Sequence, residues 1–215
     1  MRGKPVGVLV LACAVVAACG SSGRTSSSSL LAASSSAEAV ATSPAAAPAV
    51  FAGVRGRVLS GGELPGFKPR GPRLLGINAE SWVVENRFPT AQRTTASARL
   101  KRLGFVAGVR EDLVGPQALA GLSTVEQFRS SAGAGSELAS VVDGLVGPGA
   151  ARFAVPGVPG AQGFAAPGAG FNVAFADGSY CYLIGAQAFR AGTPGGPTRA
   201  ALVVASQRLY RRVHR

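Results

Sequence analysis

Phe171-Asn172-Val173-Ala174-Phe175-Ala176 and Ser179-Tyr180-Cys181-Tyr182-Leu183-Ile184-Gly185-Ala186 flank Asp177-Gly178. Two alternating runs around Asp-Gly are a strong signal for a two-residue β-hairpin. With Asp177-Gly178 as the loop, Phe175 pairs with Tyr180, Val173 with Tyr182 and Phe171 with Ile184. Six large side chains then share one face, because side chains alternate along a strand. Ala174 against Cys181 and Asn172 against Leu183 form the other face. The bulky face is expected against the core. The small face is open either to a closely approaching helix or to solvent.

Working outward, Thr198 to about Val213 reads as a closing helix with Leu202, Ala205, Leu209 and Val213 on one face, after a loop at Gly192 to Pro197. Before the hairpin, Val155-Pro156-Gly157-Val158 and Val158-Pro159-Gly160-Ala161 are consecutive Pro-Gly turns, followed by a Gly/Ala loop up to Gly170. Arg152 to Val155 reads as a short strand. Leu138, Val141, Val142 and Leu145 recur at helical spacing, with Ser130 or Ser131 as cap and Gly147-Pro148 as stop. Phe105 to Val114 reads as a strand broken by Gly115-Pro116. Leu122 to Phe128 reads as another, half-exposed because its polarity is mixed. Ala79 to Arg87 and Thr90 to Leu103 read as helices, the second stopped by Gly104. Val54 to Leu59 is strand-like, and Leu64-Pro65-Gly66-Phe67 is a type II turn.

Hairpins mixed with helices, without regular βαβ alternation, indicate α+β: an antiparallel sheet with about three helices packed on it. The element order resembles the PsbP-like sandwich fold, which also occurs in some exported lipoproteins of Gram-positive bacteria.

The amino-terminal region says where this domain lives. Arg2 and Lys4 precede an uncharged, mostly apolar run of 13 residues, Val6 to Ala18. A spanning helix needs ~20 apolar residues, so the run reads as a cleaved export signal. Val16-Ala17-Ala18-Cys19 resembles the lipobox of bacterial lipoproteins, a branched apolar residue and two small ones before Cys. The resemblance implies diacylglycerol on the Cys19 thiol, cleavage between Ala18 and Cys19, and a new amino terminus open to further acylation. Two or more acyl chains anchor stably. Cys13 is a poorer candidate, since it leaves an apolar run of only ~7 residues. The expected divisions are residues 1–18 as signal, 19–50 as lipidated Cys and disordered tether, and 51–215 as one domain. The tether is dominated by Ser, Ala, Thr and Pro, which bury too little surface to offset their ordering entropy.

After removal of residues 1–18 the net charge is +10, nearly all of the positive charge being Arg. Such a charge favours solubility and attracts anionic surfaces. Cys181 remains as a lone thiol, so no internal disulfide framework is expected. The domain is long enough to be held by an apolar core alone.

Catalytic signals are sparse. His214 is the only histidine and lies one residue from the end of the sequence, a poor place to hold a base. No zinc, calcium or phosphate-loop spacing occurs, so neither a metal nor another cofactor is expected. Glu111-Asp112 would point to opposite faces of a strand. Cys181 has no neighbouring base and reads as a buried, inert thiol. Trp82, Phe175, Tyr180 and Tyr182 are candidates for a ligand or partner surface, with a plain core role as the alternative. Arg208, Arg211, Arg212 and Arg215 are candidates for contact with anionic headgroups or wall polymer, the alternative being a solvated helix end. Given export, no nucleic-acid partner is expected.

The expected function is a lipid-anchored extracytoplasmic binding or interaction module, partnered by the membrane through Cys19 and by an envelope ligand or protein. A structural envelope protein holding anionic polymer is the alternative. An enzyme is not expected unless two of Glu80, Glu85, Glu111 and Asp112 meet in a cleft with Trp82.

Overall fold

The computed structural model describes residues 47–70, 74–116, 119–146, 149–166, 170–186 and 199–215. The lipobox with Ala18 and Cys19, the tether up to residue 46, the Gly147-Pro148 stop, the loop at 192–197 and Thr198 lie outside the described residues.

The fold is α+β, an antiparallel sheet with five helices among the described residues rather than about three. In chain order the elements are α1 (Ala47–Arg55), β1 (Lys68–Pro69), β2 (Leu74–Gly76), α2 (Ala79–Glu85), α3 (Thr90–Arg102), β3 (Phe105–Val114), β4 (Ala120–Phe128), α4 (Ser131–Leu145), β5 (Ala151–Phe153), β6 (Gln162–Ala166), β7 (Gly170–Asp177), β8 (Tyr180–Ala186) and α5 (Arg199–Val213). The strands run β1-β3-β4-β8-β7-β6-β5, with β2 also paired to β3. Helices cover both faces. α1 and α5 lie on the face carrying Val109, Val125, Tyr182 and Phe175, whereas α2, α3 and α4 lie on the other. None of these helices is long and apolar enough to cross a membrane.

The hairpin forms, but its register differs from expectation by two residues. Phe175 pairs with Tyr182, Val173 with Ile184 and Phe171 with Ala186. The turn residues are Gly178 and Ser179, because Asp177 stays in the ladder opposite Tyr180. Gly178 has φ 55° and Ser179 is not in the positive region, the pattern of a II′ turn. A shift of two preserves the faces, so the bulky set remains together in the core. Phe175 and Tyr182 stack at 4.5 Å between ring centroids. The small face, Ala174 and Ala176 beside Cys181, receives α4.

Four other expectations need correction. Val54 to Leu59 is no strand: α1 runs through Arg55, and the Leu59 N–H donates to the Ser123 hydroxyl rather than to a strand. Its apolar residues are buried all the same, so the alternation marked burial and not extension. α1 also begins at Ala47, inside the stretch read as tether. β4 is not half-exposed: it lies inside the sheet between β3 and β8, with helices over both faces, and Ser123, Thr124 and Glu126 are buried. The Gly/Ala loop contains β6, whose Gly163 lets the Phe153 ring lie directly on the strand.

The Pro-Gly turns are as read. Gly66, Gly157 and Gly160 have φ of 78°, 77° and 66°. Gly104 ends α3 with φ 79°.

On the three-helix face, α2 is fixed by a capping box. The Ser81 N–H donates to Asn78 Oδ1 at 2.8 Å, and the Asn78 N–H donates back to Ser81 Oγ at 3.3 Å. Asn78→Ala removes one half of this pair. The expected loss is about 1 kcal/mol, seen in thermal melts as a drop of roughly 2–4 °C. An unchanged melt would mean that packing of Trp82 alone positions α2.

Candidate functional site

A groove of about 510 Å³ lies between α3 and α4, floored by β3, β4 and β8. That is within the ~300–1,000 Å³ usual for ligand pockets. The two helices meet where the α3 end reaches the α4 start: Gly133 packs against the Leu103 carbonyl. From that vertex Ala96 and Gln92 line one wall, Val141 and Leu145 the other, and Leu122 and Leu183 the floor.

The vertex is polar. Glu126 rises from β4, and the Trp82 indole N–H donates to its Oε1 at 2.6 Å. Glu137 descends from α4, and Arg99 of α3 donates to its Oε1 at 2.7 Å. Glu126 is 5% exposed and Glu137 1%. The second oxygen of each, and Arg99 Nε, are buried without a hydrogen-bond partner. Buried polar groups are normally paired, so three unpaired atoms around one point mark it out.

Burial pushes the Glu126 carboxyl up to about 7, against the pull of the Trp82 N–H and of Arg99. Burial, then the charge of Glu126, pushes Glu137 up to about 8, against Arg99. The two titrate as a pair, because ionising one raises the cost of ionising the other. Cys181 sits opposite Glu126 on β8. Burial, with both carboxylates nearby, raises its thiol well above the ordinary range, so it is held protonated. The mouth of the groove carries Asp112, which accepts from Arg110 at 2.8 Å and lies 3.4 Å from Arg87.

Trp82 and Tyr182 are fully buried and lie on opposite faces of the sheet, so they form no common surface. Trp82 fills the space over Gly76 and Gly108, where an added Cβ would come within 2.7 Å and 2.6 Å of it. Phe175 is likewise core. The Tyr182 hydroxyl accepts from Arg57 at 2.9 Å, and the Arg57 guanidinium lies 3.9 Å over the ring of half-buried Tyr180. Burial, foremost, pushes the Tyr182 hydroxyl up to about 12.

The terminal arginines divide. Arg212 grips both oxygens of Glu63 and the Gly56 and Val58 carbonyls, and Arg208 donates to the Gly62 and Glu63 carbonyls. Both therefore clamp the 56–63 loop. Arg211 donates along its own helix to Gln207, and Arg215 is exposed. His214 bonds Asp177 at 2.8 Å and stacks on Tyr210, away from the groove.

The carboxylates named from sequence do not converge. Glu80 pairs with Lys101, Glu111 lies buried under the two-helix face and Asp112 stands at the groove mouth on the other. The pair beside Trp82 is Glu126 and Glu137 instead. Their signal was the polar content of β4, a strand with Ser123, Thr124 and Glu126 in its middle. Among the described residues, no three His, Cys, Asp or Glu side chains could together hold a metal ion.

No family model matches the chain, and no curated protein matches its sequence. The crystal structure of the extracellular domain of PknH from Mycobacterium tuberculosis is similar over 74% of this chain and 94% of that one, at 10% identity and a TM-score of 0.47.

Proposed function

We propose that the protein is a lipid-anchored extracytoplasmic binding module whose ligand occupies the groove between α3 and α4. The observation that carries the reading is the groove itself: apolar walls converging on buried, unpaired polar atoms at one end. That combination of an apolar body site with a few fixed polar groups is how small-molecule sites orient a ligand. The lipobox-like Val16-Ala17-Ala18-Cys19 supports the anchor. Holding an anionic polymer through the terminal arginines is the weaker reading, since Arg208 and Arg212 are engaged within the domain.

Two measurements test it. The intact mass of the membrane-extracted chain is expected to show loss of residues 1–18 and a gain of acyl mass, with Cys19→Ala lost from the membrane fraction. A lipid-free, soluble wild-type chain would overturn the anchor. For the groove, the full chain carrying Cys19→Ala, free of acyl groups, is titrated with the neutral apolar fluorophore N-phenyl-1-naphthylamine. Emission is expected to rise on binding, and Ser140→Trp, which fills the groove from α4, is expected to weaken binding at least tenfold. Equal binding by the filled variant would overturn the groove as the site.

A further inference from the structure

Resting on that groove reading, we infer that the ligand carries a protonated amine, seated between Glu126 and Glu137, with its apolar body lying along the groove. The unpaired atoms at the vertex are two acceptors and one donor: Oε2 of Glu126, Oε2 of Glu137 and Nε of Arg99. An ammonium group brings three donors and one positive charge. It therefore supplies what the two carboxylates lack, and Arg99 Nε–H remains for one acceptor atom on the same ligand.

Charge balance points the same way. The groups facing the pair are the Trp82 indole from α2, Arg99 from α3, Glu137 opposite Glu126 from α4 and the protonated Cys181 thiol from β8. From β3 the residue opposite Glu126 is Gly108, and the next charge along, Arg110, is bound to Asp112. Arg99 balances one carboxylate. With both ionised the vertex holds one uncompensated negative charge in a buried place, which is costly. In the free protein bound protons meet that need, the last of them leaving the pair between about 7 and about 8. An alkylammonium replaces that last proton: the carboxyl O–H bond breaks, the proton leaves to solvent, and the carboxylate accepts an N–H from the ligand. An anionic head would face two carboxylates, and a neutral hydroxyl would leave the proton in place.

Proton release fixes the sign of the pH dependence. Affinity for an alkylammonium rises as pH rises through the range where the pair gives up its proton, by up to roughly tenfold per pH unit for one proton released. Affinity for a neutral alcohol does not change.

The test is calorimetric titration of the full Cys19→Ala chain with n-octylamine, n-octanol and octanoate at pH 6 and pH 8. Octylammonium is expected to bind at least tenfold tighter than octanol at pH 8, with the preference shrinking at pH 6. Glu137→Gln is expected to lower octylammonium affinity about tenfold and to flatten its pH dependence, with octanol unchanged. If that variant fails to fold, the pH series on the unsubstituted pair decides alone. Equal binding of octylamine and octanol at both pH values, both blocked by Ser140→Trp, would overturn the ammonium site and leave the groove standing. Octanoate binding tightest, and tighter at pH 6, would overturn it in favour of an anion on Arg99. Binding of no probe, or binding untouched by Ser140→Trp, would remove the groove reading with it.

Discussion

Trp82→Ala is expected to lower the thermal midpoint by roughly 10–20 °C. Trp82 is fully buried and is the largest side chain in its cluster. Truncating a buried Trp costs about 3–5 kcal/mol. A second cost comes from chemistry: the indole N–H is the donor to Glu126 Oε1, and without it a buried carboxyl loses its partner. Leaving such a group unpaired adds about 1–3 kcal/mol. For a domain of this size each kcal/mol moves the midpoint by about 2–4 °C. Trp82→Phe separates the two costs, since it keeps most of the ring and removes the N–H. Its expected loss is about 2–3 kcal/mol, from the unpaired carboxyl and the smaller ring together. If the two variants melt together, the hydrogen bond is the whole effect. If Trp82→Phe melts with the parent, the carboxyl relies on another donor.

The second large effect is a decline of stability with rising pH across the neutral range. Unfolded, Glu126 and Glu137 titrate at their ordinary value of 4.5. Folded, burial holds their protons up to about 7 and about 8. Between those limits the folded chain binds more protons than the unfolded chain, so stability falls as pH rises, and above about 8 it levels off. The midpoint at pH 5.5 should exceed that at pH 8.5 by several degrees, and Glu137→Gln should remove at least half of the difference. A parent midpoint that does not fall over this range would show the pair to be ionised in the folded state throughout. At the acid end another group acts in reverse. Burial alone would raise the Glu63 carboxyl, but the hydrogen bonds and charge of Arg212, with the Ser60 N–H, hold it below its ordinary value. That contribution is present above about 4.5 and is lost as pH falls below it.

Local signals carried most of the fold. Asp-Gly between alternating runs, Pro-Gly turns, Gly104 and the helical spacing of Leu138, Val141, Val142 and Leu145 each depend on neighbours within a few residues. The hairpin register slipped because Asp177 can either turn or pair, and its partner His214 lies 37 residues away. β6 was hidden because glycine and alanine suit a loop until an aromatic ring such as Phe153 is known to lie on them. Of the candidate site, little was legible. Glu126 and Glu137 stand on a strand and a helix, and only the pairing of β4 with β8 and the crossing of α4 bring them together. The visible acidic pair, Glu111-Asp112, was split by strand alternation as expected. Trp82 was open to two readings, a ligand or partner surface and a plain core residue; in the structure it is fully buried, donates to Glu126 and fills the space over Gly76 and Gly108.

The borders of the sheet bear on how the protein tolerates crowding. One border is formed by β1 and β2, of two and three residues, and β1 ends in Pro69. The other is β5, also of three residues, and it carries Arg152 at its centre. Among the described residues, neither offers a long row of free backbone donors and acceptors on which a neighbouring copy could build a strand, and proline or charge discourages the attempt. The long strands, β3, β4, β7 and β8, are all interior. Where many copies meet at high local concentration, edge against edge, short rims of this kind disfavour strand addition from one copy to the next, as a long, flat rim would not.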